Sequence, residues 1–188
     1  MKKFFQDCLN LPFATNSQDN PLHEKQVEDL LIKHGFNYQA QPNGIQASPD
    51  FRVFLPGGKV VDIECKSSKQ AYPTYNGGLP KQGVVYVFSS KKYDETTVYF
   101  AEDVVSNAKR DLYSEYLAKQ AALLEEFRSM AEWKNDDRGF DFYNRAMYTQ
   151  SGGAEKTDYF KHSKRNTCEQ RVINHNWWEW GYPQDSRG

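Results

Sequence analysis

Apolar residues recur at helical spacing near the start of the chain. Asn20 and Pro21 are typical of the first positions of a helix. Apolar side chains then return at three- and four-residue steps, and Gly35 is a typical stop signal. The pattern therefore predicts a helix over residues 21–34.

The segments that follow alternate in the way that strands do. They are rich in β-branched and aromatic residues and are bounded by turn-forming residues. The predicted strands span residues 36–41, 51–55, 59–66, 84–88 and 96–100. Residues 56–58 (Pro-Gly-Gly) form a turn between two of them, and the polar, Gly-rich stretch 67–82 is predicted to be a loop. Residues 84–88 are almost wholly apolar, which is typical of a buried central strand.

Helical spacing returns from residue 102 to about residue 133. Apolar residues recur there at three- and four-residue steps, and the intervening positions carry Lys, Arg and Glu. The pattern predicts one long amphipathic helix or two joined ones. We expect this helix to cover the core, and a coiled coil between two copies of the chain is the alternative.

The order of elements predicts an α/β fold in which a central mixed β-sheet is flanked by helices. The 188 residues fit a single domain, 1–188. Within it we distinguish a core at 20–100, the long helix at 102–134 and a basic, aromatic region at 135–188. The last region contains three tryptophans, for which a place in the core is preferred over a dimer surface: Trp177, Trp178 and Trp180.

The amino-acid composition indicates a cellular compartment for the protein but does not indicate a binding partner. The three cysteines are far apart in the sequence and odd in number, which favours free thiols in a reducing compartment. No apolar run approaches the roughly 20 residues that span a bilayer, and Gln6 and Asp7 interrupt an N-terminus that begins like a signal peptide. We therefore expect a cytoplasmic protein. The net charge of −1 neither indicates nor excludes binding to nucleic acid.

Carboxylates and a lysine converge at one predicted hairpin. Alternation along the strand places Asp62, Glu64 and Lys66 on one face, and a hairpin would bring Asp50 beside Glu64. Two adjacent carboxylates repel unless a cation lies between them. Oxygen ligands without histidine favour Mg²⁺ or Mn²⁺. The alternative is a set of ordinary surface charges on an exposed strand.

The motif Pro49-Asp50, 13 intervening residues, then Glu64-Cys65-Lys66 resembles the PD-(D/E)XK nuclease superfamily. The resemblance implies a restriction-endonuclease-like fold. It implies that Asp50, Glu64 and the backbone carbonyl of Cys65 bind the metal, and that Lys66 orients or activates water.

The superfamily often adds a glutamate from its first helix. Glu24 matches that place, and Glu28 is the competing candidate. Asp62 is a surplus carboxylate for which a solvated role is preferred over a second metal-binding one.

Within the superfamily the chain is most similar to a small type II restriction endonuclease. The similar stretches are residues 66–81 and 158–172. This implies a Mg²⁺-dependent homodimer, with Mn²⁺ as a substitute metal, that cuts double-stranded DNA at a short, palindromic site. A junction resolvase or repair endonuclease on the same fold and a non-catalytic DNA-binding module are the alternatives.

Two groups of basic and polar residues are candidates for DNA contact, since such side chains contact phosphates and base edges. The loop after the lysine offers Lys69, Tyr75, Asn76 and Lys81. The later region offers Arg145, Gln150, Lys161, Lys164, Arg165 and Arg171.

Overall fold

The structure, a computed structural model, describes residues 1–14, 21–45, 47–142, 146–150 and 157–180, with the side chains of residues 179 and 180 excepted. Seven helices and seven strands lie in these ranges. The helices are α1 Lys2–Cys8, α2 Pro21–Lys33, α3 Ala101–Val104, α4 Asn107–Arg128, α5 Ala131–Lys134, α6 Arg165–Ile173 and α7 Trp177–Trp180. The strands are β1 Asn37–Ala40, β2 Phe51–Phe54, β3 Val60–Ser68, β4 Thr74–Tyr75, β5 Val84–Ser90, β6 Glu95–Phe100 and β7 Tyr148–Thr149.

Five strands form one mixed sheet in the order β1-β2-β3-β5-β6. The central pair, β3 and β5, is parallel, and the other three pairs are antiparallel. A small second sheet pairs β4 with β7. The prediction of an α/β fold with a mixed sheet is thus confirmed. Every residue of β5 is buried, as expected for a central strand.

The ends of the first predicted helix and of the hairpin follow from local sequence. Helix α2 begins at Pro21, and Asn20 lies outside the described residues. Gly35 has a φ of 68°, a left-handed conformation that glycine adopts without strain, and it lies two residues after the last residue of the helix. A single 3₁₀ turn at Pro56–Gly58 joins β2 to β3, and Gly57 there has a φ of 77°.

The predicted loop at 67–82 begins two residues later than expected and contains a short strand. Strand β3 continues to Ser68 because Ser67 and Ser68 pair with Ser89 and Ser90 of β5. Residues 74–75 form β4. The sequence did not predict these two strand residues, because serine side chains do not favour a strand.

Alternate residues of the sheet enter two separate cores. One face packs against α1, α2 and α6, with Val61, Ile63 and Cys65 of β3 fully buried in it. Trp177 lies in the same core, 1 % exposed, whereas Trp178 is exposed and the side chain of Trp180 lies outside the described part of the chain. The other face holds a second cluster rich in aromatic rings: Tyr75, Tyr86, Phe88, Tyr99 and Phe160.

The long amphipathic segment does not cover the core, so that expectation is wrong. It is divided into α3, α4 and α5, and α4 contributes no buried residue. Its apolar residues are instead among the most exposed large side chains of the protein, with Leu112 at 66 %. No helix within the described ranges is both long enough and apolar enough to cross a bilayer.

Candidate active site

The β2–β3 hairpin brings Asp50 and Glu64 together. Phe51 pairs with Ile63 in this antiparallel ladder, so Asp50, one residue earlier, is level with Glu64. The backbone N–H of Cys65 donates to Asp50 Oδ2 at 2.7 Å. This bond fixes the carboxylate against β3. The hairpin arrangement predicted for Asp50 and Glu64 is therefore the one that the chain adopts.

Glu64 is bonded through only one of its two oxygens. Lys66 Nζ donates to Glu64 Oε1 at 2.6 Å, while Glu64 Oε2 is buried and lacks a hydrogen-bond partner among the described residues. The residue as a whole is 7 % exposed. A buried carboxylate oxygen without a partner costs free energy, and it is a natural ligand for a cation.

Charge repulsion within the site acts on Asp50. Burial, followed by the negative charge of Glu64, raises the pKa of Asp50 from 3.8 to about 7, and the charge of Glu24 adds to the rise. The Cys65 N–H and the ammonium of Lys66 oppose it. Burial is thus the main reason why the ionised form of Asp50 is disfavoured, and repulsion by Glu64 and Glu24 adds to it.

Of the two helix glutamates, Glu24 is the one that acts on this site. Its charge raises the pKa of Asp50, whereas Glu28 accepts hydrogen bonds from the Tyr38 hydroxyl at 2.9 Å and from Lys25 at 3.3 Å. Glu28 is therefore held by its own neighbours.

The surplus carboxylate, Asp62, is paired outside the site. It accepts two hydrogen bonds of 2.8 Å from the guanidinium of Arg52 on β2. Both of its oxygens are occupied, so Asp62 stabilises the hairpin rather than extending the site.

A cleft of about 400 Å³ opens over Glu64 and Lys66. Residues 74–79 and Lys81, from the loop after β3, line its other side. Lys69, Asn76 and Lys81 are exposed. Tyr75 is not, because its ring is 4 % exposed and its hydroxyl bonds to that of Tyr99 at 3.0 Å. The side chain of Tyr75 thus supports the floor of the cleft instead of facing solvent.

The later basic residues are largely paired within the protein. Arg165 donates to Glu169 and Glu95 at 2.8 Å each, and Arg171 forms an ion pair with Asp103. Lys161 lies over the Tyr93 ring, and Lys164 is exposed at the start of α6. Gln150 donates to the Tyr159 hydroxyl at 3.0 Å, and Arg145 lies outside the described residues. These contacts were not foreseen, and they leave Arg165 and Arg171 less available to an external anion.

A row of tyrosines that sequence reasoning missed continues the face of Glu64 across the sheet. Glu64 pairs with Tyr86 on β5, which pairs with Tyr99 on β6. The two rings stack at 5.6 Å, and the hydroxyl of Tyr86 accepts a hydrogen bond from the Lys81 N–H at 2.9 Å. That bond ties the cleft loop to the sheet. The strand alternation of Tyr86 and Tyr99 was the signal that could have found them.

The ligand set for a metal is small. No group of three or more His, Cys, Asp and Glu side chains in the described ranges is placed to hold a metal ion. The oxygens at hand are the carboxylates of Asp50 and Glu64 and the main-chain carbonyls beside them. No family model, no curated protein and no solved structure matches this chain. What the site can do therefore follows from its own residues.

Proposed function

We propose that this protein is a Mg²⁺-dependent type II restriction endonuclease, which hydrolyses phosphodiester bonds of double-stranded DNA at a short specific site. The observation that carries the proposal is the meeting of Asp50, Glu64 and Lys66 at one point of the β2–β3 hairpin, where Glu64 and Lys66 line a cleft. The five-stranded mixed sheet is compatible with the restriction-endonuclease-like fold that the sequence motif implies.

The site suits a divalent cation because a cation would stabilise carboxylates whose ionised form burial and mutual repulsion disfavour. Glu64 Oε2 has no partner among the described residues, and the pKa of Asp50 is raised by burial and by Glu64. Both features would be relieved by a cation held by Asp50, Glu64 and the carbonyl of Cys65. Bound Mg²⁺ supplies a water of lowered pKa and offsets the charge that develops on the phosphate.

Lys66 contributes a positive charge next to that position. Its ammonium donates to Glu64 Oε1 and is about one quarter exposed, so it is reached from the cleft. If Glu64 bound a cation, its hydrogen bond with Lys66 would weaken. Lys66 could then bind the attacking water or balance the charge on the phosphate. Loss of Lys66 would then slow cleavage more than it weakens binding.

The cleft loop is the best-supported surface for DNA. Lys69, Asn76 and Lys81 are exposed between the end of β3 at Ser68 and the start of β5 at Val84. Lysines neutralise phosphates, and an asparagine can bond to base edges. In the later region Lys161 and Lys164 remain candidates, whereas Arg165 and Arg171 already have carboxylate partners.

The test is a cleavage assay on unmethylated phage DNA with Mg²⁺, with a chelator as control. Discrete Mg²⁺-dependent bands are expected, and Lys66→Ala should abolish them while leaving DNA binding nearly unchanged. Lys91→Ala is the matched control, because it removes an exposed lysine from the β5–β6 turn.

Other results would redirect or end the proposal. A smear would indicate a less specific nuclease, and cutting of branched DNA alone would favour a junction resolvase or repair enzyme. No cleavage of any DNA with Mg²⁺ or Mn²⁺, or full activity of Lys66→Ala, would contradict it.

A further inference from the structure

Helix α4 is stable for local reasons rather than through packing. Its 22 residues are rich in good helix formers, and Ser106 caps its first turn by accepting from the Lys109 N–H at 3.3 Å. Lys119 pairs with Glu115 one turn away, and Arg128 pairs with Glu125. At 1.5 Å per residue the helix is about 33 Å long. No side chain along this length is buried.

One side of α4 is half-covered by the chain itself. The Tyr113 ring lies 5.2 Å from the Tyr148 ring, edge to face. At the other end Arg128 donates to the carbonyl oxygen of Phe142 at 3.1 Å. These contacts hold the helix in place along one flank and leave the neighbouring flank open.

The open flank carries a stripe of large apolar side chains, which we call the α4 stripe: Leu112, Tyr116, Leu123 and Phe127. At 100° per residue all four lie within about 60° of one another around the helix axis. Between 46 % and 66 % of each residue is exposed. Several large apolar side chains exposed along one face of a helix are typical of an interaction site rather than of an ordinary solvent-facing helix.

We propose that the α4 stripe binds the α4 stripe of a second copy of this chain, with the two helices antiparallel. A two-fold pair centred between Leu117 and Ala118 places each residue opposite the one equally far from the other end. Leu112 then faces Leu123 of the second copy. The bulky Phe127 faces the small Ala108. Tyr116 faces Lys119, whose aliphatic stem can cover the ring while its ammonium stays in solvent. The stripe is therefore complementary to itself, as a two-fold interface requires.

The charges beside the stripe favour the same arrangement. Lys109 lies in the first turn of α4 and Glu126 in its last turn, both at the edges of the stripe. Antiparallel pairing brings Lys109 near Glu126 of the second copy, and the symmetry repeats this contact at the other end. Parallel pairing would set like charges side by side, which is unfavourable. Antiparallel helices also oppose their dipoles favourably.

The family resemblance implies a homodimer but no surface for it. The α4 stripe and the antiparallel direction are inferred from the exposure and charges of α4, and they do not depend on the proposed function. The mass of the protein in solution is measured without DNA and without a metal. A failed dimer would leave the nuclease proposal intact, and a failed cleavage assay would leave the dimer intact.

The first test is light scattering coupled to size-exclusion chromatography. The wild-type protein is expected to have twice the mass of one chain, and L112E/L123E is expected to have the mass of one chain. The matched control, A118E/A121E, adds the same two charges at exposed positions of α4 outside the stripe and should remain a dimer. Circular dichroism should show equal helix content in all three. A monomeric wild type, or a dimeric L112E/L123E, would overturn the proposal.

The second test measures the direction of pairing through disulfides. Leu112→Cys and Leu123→Cys are made as separate chains in a Cys168→Ser background, because Cys8 and Cys65 are buried and Cys168 is only partly so. Under mild oxidation a mixture of the two chains should form a cross-linked dimer, and neither chain should do so alone. Cross-linking of each chain with itself would show parallel pairing and refute the antiparallel arrangement.

Discussion

Asp62 and Glu64 lie two residues apart on the same face of β3, and each is bonded to a basic side chain, but their surroundings differ. Asp62 has both oxygens bonded to one guanidinium at 2.8 Å. Glu64 has one oxygen bonded to Lys66 at 2.6 Å and the other buried without a hydrogen-bond partner in the described part of the chain. Only Glu64 has a second carboxylate, Asp50, level with it across the ladder.

The difference separates a completed ion pair from an incomplete one. The planar guanidinium of Arg52 donates a hydrogen bond to each oxygen of Asp62. The ammonium of Lys66, two residues along the same strand, donates to only one oxygen of Glu64. The remaining capacity of Glu64, next to Asp50, is what a cation could occupy. On the same strand, therefore, Asp62 forms a structural ion pair, and Glu64, two residues later, has an oxygen that could still bind a ligand.

The largest expected effect comes from removing one charge at each position. Glu64→Gln should lower the Mg²⁺-dependent cleavage rate by at least about a thousandfold, roughly 4 kcal/mol of transition-state stabilisation, because it removes a metal ligand. Asp62→Asn removes the same charge from the same face of β3 and should cut DNA at nearly the wild-type rate. Single-turnover cleavage of plasmid DNA measures both. Equal losses in the two variants would show that the two carboxylates do not differ in function.

A smaller effect is expected on stability, and it depends on pH. The unfolded chain releases the Asp50 proton near the ordinary pKa of 3.8, whereas the folded chain keeps it until about pH 7. Between these values the folded state binds more protons, so its stability falls as the pH rises. Asp50→Asn cannot ionise. It should therefore match the wild type near pH 4 and exceed it at pH 8 by up to roughly 4 kcal/mol in the free energy of unfolding.

Urea unfolding in the presence of a chelator provides the measurement. Asp62→Asn is the control of opposite sign, since it breaks the ion pair with Arg52 and should lower the free energy of unfolding by about 1 kcal/mol at pH 8. A stability difference for Asp50→Asn that is the same at both pH values would mean that ionisation of Asp50 is not its cause.

The hairpin was predictable from sequence because its determinants are local. The period of two on β3 sends Ile63 and Cys65 to the core and Glu64 and Lys66 to the other face, and the Pro-Gly-Gly turn sets the register with β2. The pairing of Asp62 with Arg52 was not predicted, although both residues lie in the same hairpin. Strand alternation predicts the face of the sheet on which a side chain lies, but it does not predict the side chain to which it bonds.

Other features depend on residues that are distant in the sequence. Arg165 meets Glu95, and Arg171 meets Asp103, across about 70 positions, which no local pattern reveals. The amphipathic pattern of α4 predicted the helix correctly but could not show what covers its apolar stripe. Tyr75 resembled a surface residue because tyrosine suits both solvent and a buried hydroxyl cluster.

The smallest expected effect concerns the metal itself, in the absence of DNA. If Asp50 and Glu64 hold Mg²⁺ in the folded state only, saturation at about ten times the dissociation constant adds roughly 1.4 kcal/mol to stability. For a chain of this size that raises the melting temperature by about 3–6 °C. The rise should vanish in Glu64→Gln and persist in Asp62→Asn, because Arg52 already occupies both oxygens of Asp62. Differential scanning fluorimetry with MgCl₂, against KCl of equal ionic strength, measures it. An equal rise in both variants would show that Mg²⁺ stabilises the protein elsewhere, and the contrast between the two carboxylates would then have no bearing on metal binding.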